Sequence, residues 1–170
     1  HEELPGIPLC IEMMKEQSVE KIADSIANFL LSIHRFSVEH ANGLGVPTAR
    51  MWKGRFEEMG NKGLLVLRNE LRFTEFMRLR RWWRRFISDN RNWKFDPVLV
   101  HGDLKLSDLL VDSEQKELVA VGGFTDVSLG DPAVDFQGLV RCVGAEFSWR
   151  VVDAYRHRGG VVDADMFRRM

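Results

Sequence analysis

The feature that most restricts the fold is the segment VLVHGDLKLSDLLVD at residues 98–112. Short β-type runs at 98–100 and 109–111 enclose a polar loop that contains one histidine and two aspartates. A third β-type run at 117–121 follows the polar turn DSEQK, which is typical of a hairpin. The chain on either side has the apolar spacing of helices. The sequence therefore predicts an α+β, mostly α domain with a small β-hairpin two-thirds along the chain.

The predicted helices each combine an apolar stripe of helical period with a capping or breaking residue at an end. They run from Ser18 to Ser37, from Thr48 to Glu58, from Asn69 to Ser88, onward from Asp131-Pro132, and from Ser148 to His157, with a short helical tail after them. The glycine-containing stretches HANGLGVPT and GNKG are expected to end the first and second helices. In the first helix the predicted buried face is Val19, Ile22, Ala23, Ile26, Leu30 and Ile33.

Composition restricts the class of partner more than the class of chemistry. The 170 residues fit one domain with a net charge of −1, which gives no general reason to expect binding to nucleic acid or to a membrane. No apolar run reaches the roughly 18 residues of a membrane span. The two cysteines, Cys10 and Cys142, are far apart in sequence, which favours a reducing, cytoplasmic location over a disulfide framework.

The run RLRRWWRRF at 78–86 allows two interpretations. Arginines interleaved with aromatic rings can bind single-stranded nucleic acid. However, Leu79, Trp83 and Phe86 recur at helical spacing, which leaves the arginines on the opposite face, where acidic residues from elsewhere in the chain could pair with them. A buried stripe with a solvated cationic face is the favoured interpretation, and no nucleic-acid partner is expected.

The loop at 101–108 has the residues that phosphoryl transfer requires. Such a reaction needs a carboxylate to orient or deprotonate the accepting hydroxyl, and oxygen ligands that hold Mg²⁺ on the phosphates. His101, Asp103 and Asp108 follow the spacing H-x-D-x-x-x-x-N of the protein-kinase catalytic loop, with Asp in place of Asn. Alternatively, Asp103 taken alone could simply fix a turn through hydrogen bonds to the backbone.

Three stretches in order resemble one family: LPGIPL at 4–9, the loop segment at 98–112, and VGGFTDVSLGDPAVDF at 121–136. They are similar to the carboxy-terminal lobe of the aminoglycoside and macrolide phosphotransferases, small-molecule kinases with a protein-kinase-like fold. The resemblance implies a single C-lobe-like domain over residues 1–170, with the catalytic loop carried by the hairpin and the amino-terminal nucleotide-binding lobe absent. It also implies ATP and Mg²⁺ as cofactors and an aminoglycoside- or macrolide-like acceptor, as in antibiotic resistance.

The resemblance assigns a role to each loop residue. Asp103 would be the catalytic base and His101 an orienting residue, while Lys105 would point toward the transferred phosphate and Asp108 would be a metal ligand. Asp131 and Asp135 would be structural residues that cap and brace the helix beneath the site.

Gly123 is where the family's metal-binding aspartate falls, and the glycine-rich loop and strand lysine of the other lobe have no counterpart in this sequence. We therefore expect a catalytically incompetent, pseudokinase-like lobe that self-associates through its exposed hinge-side surface. Two alternatives stay open. One is an active kinase that belongs to a longer chain and binds its metal at Asp108, and the other is a non-catalytic binding or scaffold module that retains the fold.

Overall fold

The computed structural model describes residues 4–14, 16–47, 52–112, 114 and 117–170, and for residues 16–18 and 52 only the backbone. The helices are α1 Glu16–His34, α2 Val38–Gly43, α3 Trp52–Glu70, α4 Phe73–Ser88, α5 Ala133–Val143, α6 Ala145–His157 and α7 Met166–Arg169. The strands are β1 Ile7–Pro8, β2 Val98–Val100, β3 Leu109–Val111, β4 Leu118–Val121 and β5 Ser128–Gly130. Short 3-10 turns lie at Ile11–Met13, Asn90–Trp93 and Leu106–Asp108.

The strands form two small antiparallel sheets. One has the order β1-β3-β4 and contains the predicted hairpin, while the other pairs β2 with β5. The 101–108 loop follows β2 and precedes β3, so it connects the two sheets. The predicted strands on either side of the loop are confirmed, and the loop leads directly into β3, the first strand of the predicted hairpin. Strand β5 was not predicted, because its three residues are too few to show an alternating pattern.

Helix α1 confirms the predicted buried face. Ile22, Ala23, Ile26 and Leu30 are fully buried, while the two outer residues of the predicted face, Val19 and Ile33, are partly buried against the same core. The helix ends at His34 rather than at Ser37, because the Ser37 hydroxyl accepts a hydrogen bond from the His40 amide and caps α2.

Helix α3 differs most from its prediction. It continues through GNKG to Glu70, and the predicted cap Thr48 lies outside the described residues. Gly60 does not end the helix, because it is the point where α4 packs against α3. A Cβ atom at Gly60 would lie 1.9 Å from a ring atom of Trp83. The glycine therefore allows close helix packing.

The main core lies where α1, α5 and α6 pack together, and it includes Phe136, Leu139 and Val151. Helices α3 and α4 form a helical hairpin, and α4 ends at Ser88 as predicted. The stripe of α4 is only partly buried, with Ile87 as its most buried residue. Within the described part of the chain, no helix is both long enough and apolar enough to span a bilayer.

Asp131 confirms its predicted role at the start of α5, where its carboxylate accepts a hydrogen bond from the Ala133 amide at 3.0 Å. The same carboxylate accepts two hydrogen bonds from the buried guanidinium of Arg169, which also pairs with Asp163. This three-residue cluster fixes α7 against the start of α5.

Candidate active site

A single buried carboxylate fixes the loop after β2. Asp135 in α5 is fully buried, and its two oxygens accept hydrogen bonds from the amides of His101 (3.0 Å) and Gly102 (2.9 Å). Its Oδ2 also accepts from His34 Nε2 at 3.1 Å, and the other ring nitrogen of His34 accepts from the Tyr155 hydroxyl at 3.0 Å. The expected bracing role of Asp135 is confirmed, and it acts on the backbone immediately before Asp103.

His101 lies beneath the loop and is fully buried. Its Nε2 donates to the carbonyl oxygen of Gly122 at 2.7 Å, and its ring lies 4.8 Å from that of Phe124. Its Nδ1 has no hydrogen-bond partner within the described residues. The side chain therefore holds the loop against the end of β4.

Asp103 is partly exposed and lies between two cationic side chains. Its Oδ2 is 2.5 Å from Lys105 Nζ, and its Oδ1 accepts a hydrogen bond from the Arg141 guanidinium at 3.0 Å. The hydrogen bond from Lys105 lowers the pKa of the Asp103 carboxyl most, partial burial opposes that shift, and Arg141 lowers it further. In turn, Asp103 raises the pKa of Lys105. At neutral pH the site thus contains a carboxylate anion of weakened basicity.

The Asp103 carboxyl is expected to titrate below the ordinary value of 3.8 in a carbon-detected NMR titration of the carboxyl resonances. Lys105→Met should move this pKa upward more than Arg141→Gln, because the Lys105 contact is the shorter and stronger of the two. Asp153→Asn, on the exposed face of α6, serves as the control and should leave the Asp103 titration unchanged. An Asp103 pKa at or above 3.8 in the parent chain would contradict this electrostatic assignment.

Asp108 faces Gly123 across the end of β4. The Asp108 Oδ2 accepts a hydrogen bond from the Lys105 amide at 2.9 Å. A Cβ atom at Gly123 would lie 2.7 Å from both Cγ and Oδ1 of Asp108, so the two expected metal positions are neighbours in space. In the described ranges no three His, Cys, Asp or Glu side chains gather as a possible metal site. Because Mg²⁺ prefers at least one or two carboxylates in addition to phosphate oxygens, Asp108 alone is a poor site for it.

Introducing the family's aspartate, Gly123→Asp, is expected to destabilise the fold. Gly123 has φ +75°, a conformation that costs an L-residue about 1–2 kcal/mol, and the new Cβ would also press on Asp108. Gly45 is a matched control, because it has φ +76° and a Cβ added there would meet no atom within 4 Å. Urea unfolding should show a larger decrease in the free energy of unfolding for Gly123→Asp than for Gly45→Asp. The double variant Gly123→Asp/Asp108→Asn should recover part of that free energy. Equal losses in the two single variants would contradict the contact with Asp108.

A cavity of about 260 Å³ opens beside Asp103. Its charged lining residues are Arg55, Asp103, Asp126 and Arg141, and each carboxylate is paired with one of the arginines. The backbone of Asp126 also contacts Gly102, where a Cβ atom would lie 2.2 Å from the Asp126 carbonyl oxygen. The charges in this cavity are therefore balanced before any ligand enters.

The structure brings the predicted residues of the loop together and adds partners from distant helices. Asp103 and Lys105 form an ion pair. His101 is hydrogen-bonded to Gly122, and Asp108 lies next to Gly123. Sequence reasoning missed Arg55, Arg141 and His34. Arg141 had one signal, its position on the polar face of a predicted helix that begins beneath the loop, but such arginines are common on helix surfaces.

Comparisons with known proteins bear on the family and the fold of the chain. A family model described as the phosphotransferase enzyme family matches residues 1–170. The uncharacterized protein YcbJ of Bacillus subtilis (strain 168) is 24% identical over 142 residues, which is 84% of this chain and 45% of that protein.

Solved structures of aminoglycoside and macrolide phosphotransferases have a similar fold. The GDP and kanamycin complex of APH(2″)-IIIa superposes with a TM-score of 0.84 at 22% identity, covering 98% of this chain and 57% of that one. A macrolide 2′-phosphotransferase type I superposes with a TM-score of 0.73 at 24% identity, covering 90% and 49%. The chain therefore spans about half the length of the relatives that it matches.

Proposed function

Because the chain belongs to the phosphotransferase enzyme family, we propose that it forms the acceptor-binding half of a small-molecule phosphotransferase. The parent reaction is transfer of the γ-phosphate of ATP to a hydroxyl group of the acceptor. The observation that carries the proposal is the Asp103 carboxylate, which lies at a cavity of about 260 Å³ on a loop fixed by Asp135.

The geometry supports a positioning role for each loop residue. The rigid backbone at His101 and Gly102 holds Asp103 where its carboxylate can accept a hydrogen bond from an acceptor hydroxyl. Lys105, paired with Asp103, supplies a positive charge beside the hydroxyl, which is where a transferred phosphate would carry negative charge. ATP supplies the phosphate when it is bound, and orientation of the acceptor is the contribution of this chain.

We also propose that the chain does not itself catalyse Mg²⁺-dependent transfer. Gly123 provides no side-chain oxygen for the metal, and the Oδ2 atom of Asp108 already accepts a hydrogen bond from the Lys105 amide. Since catalysis of this reaction depends mainly on positioning and on neutralising phosphate charge, a weakened metal site removes a large part of it.

The cavity favours one class of acceptor. It is smaller than the range of about 300–1,000 Å³ that is typical of sites for drug-sized ligands, so it admits only part of such a molecule. An arginine neutralises each of the carboxylates Asp103 and Asp126, so the cavity has no net negative charge to attract an ammonium group, although a carboxylate oxygen can still accept from a neutral hydroxyl. We therefore propose a macrolide-like acceptor with few positive charges over a polycationic aminoglycoside.

Isothermal titration of the 170-residue chain with erythromycin and with kanamycin tests the proposal. Erythromycin should bind more tightly than kanamycin, and Asp103→Asn should weaken its binding about tenfold, as expected for loss of a hydrogen bond to a charged group. Asp153→Asn removes a carboxylate from the exposed face of α6 and should leave the affinity unchanged. Equal affinities in the parent chain and Asp103→Asn, or no binding of either compound, would overturn the assignment.

A further inference from the structure

A second concave surface lies between α3 and α4, on the face of α3 opposite the cavity beside Asp103. It encloses about 660 Å³. We call it the basic cleft, and its charged lining residues are Lys53, Glu57, Arg80, Arg81, Arg84 and Arg85. Lys53 and Glu57, four residues apart on α3, line the basic cleft. Arg55 and Met59, also four residues apart on α3, line the cavity beside Asp103 instead. The basic cleft is thus separate from the Asp103 site.

The four arginines lie on one face of α4 because their spacing follows the helical period. Arg80 and Arg84 are four residues apart, as are Arg81 and Arg85, so each pair consists of like charges on adjacent turns. Such pairs destabilise a helix. This arrangement therefore has an energetic cost that a bound anion would remove.

Within the described residues none of these four guanidinium groups has an ion pair or a hydrogen bond, and all four side chains are exposed. Arg68, Arg78 and Arg156 are likewise exposed without an ion pair in the described part of the chain, but they stand singly, whereas other arginines are paired. Arg141, Arg158 and Arg169, for example, each pair with a carboxylate at 3.0 Å or less. Acidic residues were expected as possible partners of the run at 78–86, and in the structure Glu57 is the sole carboxylate that lines the basic cleft among the described residues.

We propose that the basic cleft binds a compact ligand that carries several phosphate groups. Guanidinium groups form paired hydrogen bonds with phosphate oxygens, and arginine is favoured over lysine where such geometry matters. The four arginines extend over about 7.5 Å of helix axis, at 1.5 Å per residue. A short row or ring of phosphate groups matches this length, since each arginine pair can then contact a phosphate of its own.

The aromatic rings of α4 argue against single-stranded nucleic acid as the ligand. Binding of that kind uses a series of free ring faces on which bases stack. Here Trp82 and Trp83 both stack on Phe86, with ring centroids 5.6 and 5.9 Å apart. Trp83 also packs against Gly60. Trp83 and Phe86 are partly buried in these contacts, and of the three rings Trp82 alone is largely exposed, at 58%. One free ring does not make a series, while all four guanidinium groups are free.

Isothermal titration of the 170-residue chain with sodium tripolyphosphate, inositol hexakisphosphate and orthophosphate tests the proposal. At least one of the two multiphosphate probes should bind about tenfold more tightly than orthophosphate, with affinity that falls as NaCl is added. A preference for tripolyphosphate would indicate a linear ligand, and a preference for the hexakisphosphate would indicate phosphates mounted on a ring.

Two variants with equal change in net charge separate the basic cleft from general surface charge. Arg81→Gln/Arg85→Gln should weaken binding about tenfold, because it removes two of the four guanidinium groups that donate hydrogen bonds to the phosphates. Arg68→Gln/Arg78→Gln removes two exposed arginines of α3 and α4 that do not line the cleft, and should change affinity less than about twofold. Glu57→Gln should tighten binding, since it removes the carboxylate from the lining.

Equal weakening in the two double variants, or no preference for multiphosphate probes over orthophosphate, would overturn the proposal. A single-stranded oligonucleotide that binds more tightly than both multiphosphate probes, and that loses affinity in Trp82→Leu, would overturn it in favour of a nucleic-acid surface. Circular dichroism of each variant establishes that it is folded. Glu57→Gln gives an independent test, because it should raise the affinity that Arg81→Gln/Arg85→Gln lowers.

Discussion

Asp135→Ala is expected to lower the free energy of unfolding by about 3–5 kcal/mol, as for removal of one partner from a buried charged network. The amides of His101 and Gly102 and the Nε2 group of His34 would all lose their acceptor inside the fold. Because stable domains have only about 5–15 kcal/mol in total, this is a large fraction of the whole. Urea unfolding monitored by tryptophan fluorescence measures the change.

Two comparisons make the Asp135 result specific. Asp135→Asn retains one acceptor oxygen and should fall between the parent and the alanine variant, which also gives a measurable outcome if Asp135→Ala does not fold. Asp153→Ala, on the exposed face of α6, should change stability by less than about 0.5 kcal/mol. A loss below about 1 kcal/mol for Asp135→Ala would show that the buried carboxylate does not hold the loop.

Arg169→Ala is the second substitution for which we expect a loss of about 3–5 kcal/mol. The side chain of Arg169 is 3% exposed, and its guanidinium contacts both Asp131 and Asp163, so its removal leaves the buried Asp131 carboxylate without its cation. Arg168→Ala is the adjacent control, since it breaks only an exposed pair with Asp89 and should have a much smaller effect. Similar losses for the two variants would contradict the importance of the buried cluster.

The Arg169 effect should depend on pH. The Arg169 guanidinium holds the pKa of Asp163 below its ordinary value of 3.8. The stability that this pair contributes is therefore fully present above pH 3.8 and is lost as the pH falls through the lower folded value. The difference in melting temperature between the parent chain and Arg169→Ala should be constant near neutral pH and shrink below pH 3.8. A difference that grows on acidification would contradict the ion pair.

Local signals in the sequence predicted much of the fold correctly. The buried face of α1 and the aspartate–proline start of α5 depend on spacing and capping within one element, so they can be read directly. GNKG gave the wrong boundary because Gly60 has a tertiary role against Trp83, and local glycine content does not distinguish packing from termination. Strand β5 is defined by pairing with β2 rather than by its own pattern.

The site shows the same division between local and distant information. The loop residues lie within eight positions of each other, so their spacing alone indicates a shared site. The Arg141 partner of Asp103 is 38 positions away, and His34 is 101 positions from Asp135. Pairing at that range depends on how α1, α5 and α6 pack against each other. That packing cannot be read from residue spacing within a single sequence. The face-to-face placement of Asp108 and Gly123 likewise depends on the hydrogen-bonded path of β3 and β4.

Phosphate transfer from ATP to kanamycin or erythromycin by the 170-residue chain, measured with and without Mg²⁺, tests the central claim most directly. The loop keeps Asp103 in position for a hydroxyl, but Gly123 leaves Asp108 without a second metal-binding carboxylate among the residues that the structure describes. Loss of about 4 kcal/mol of transition-state stabilisation corresponds to about a thousandfold in rate. We predict no transfer above the rate of the Asp103→Ala variant under either condition. Mg²⁺-dependent turnover by the parent chain that Asp103→Ala abolishes would contradict the account.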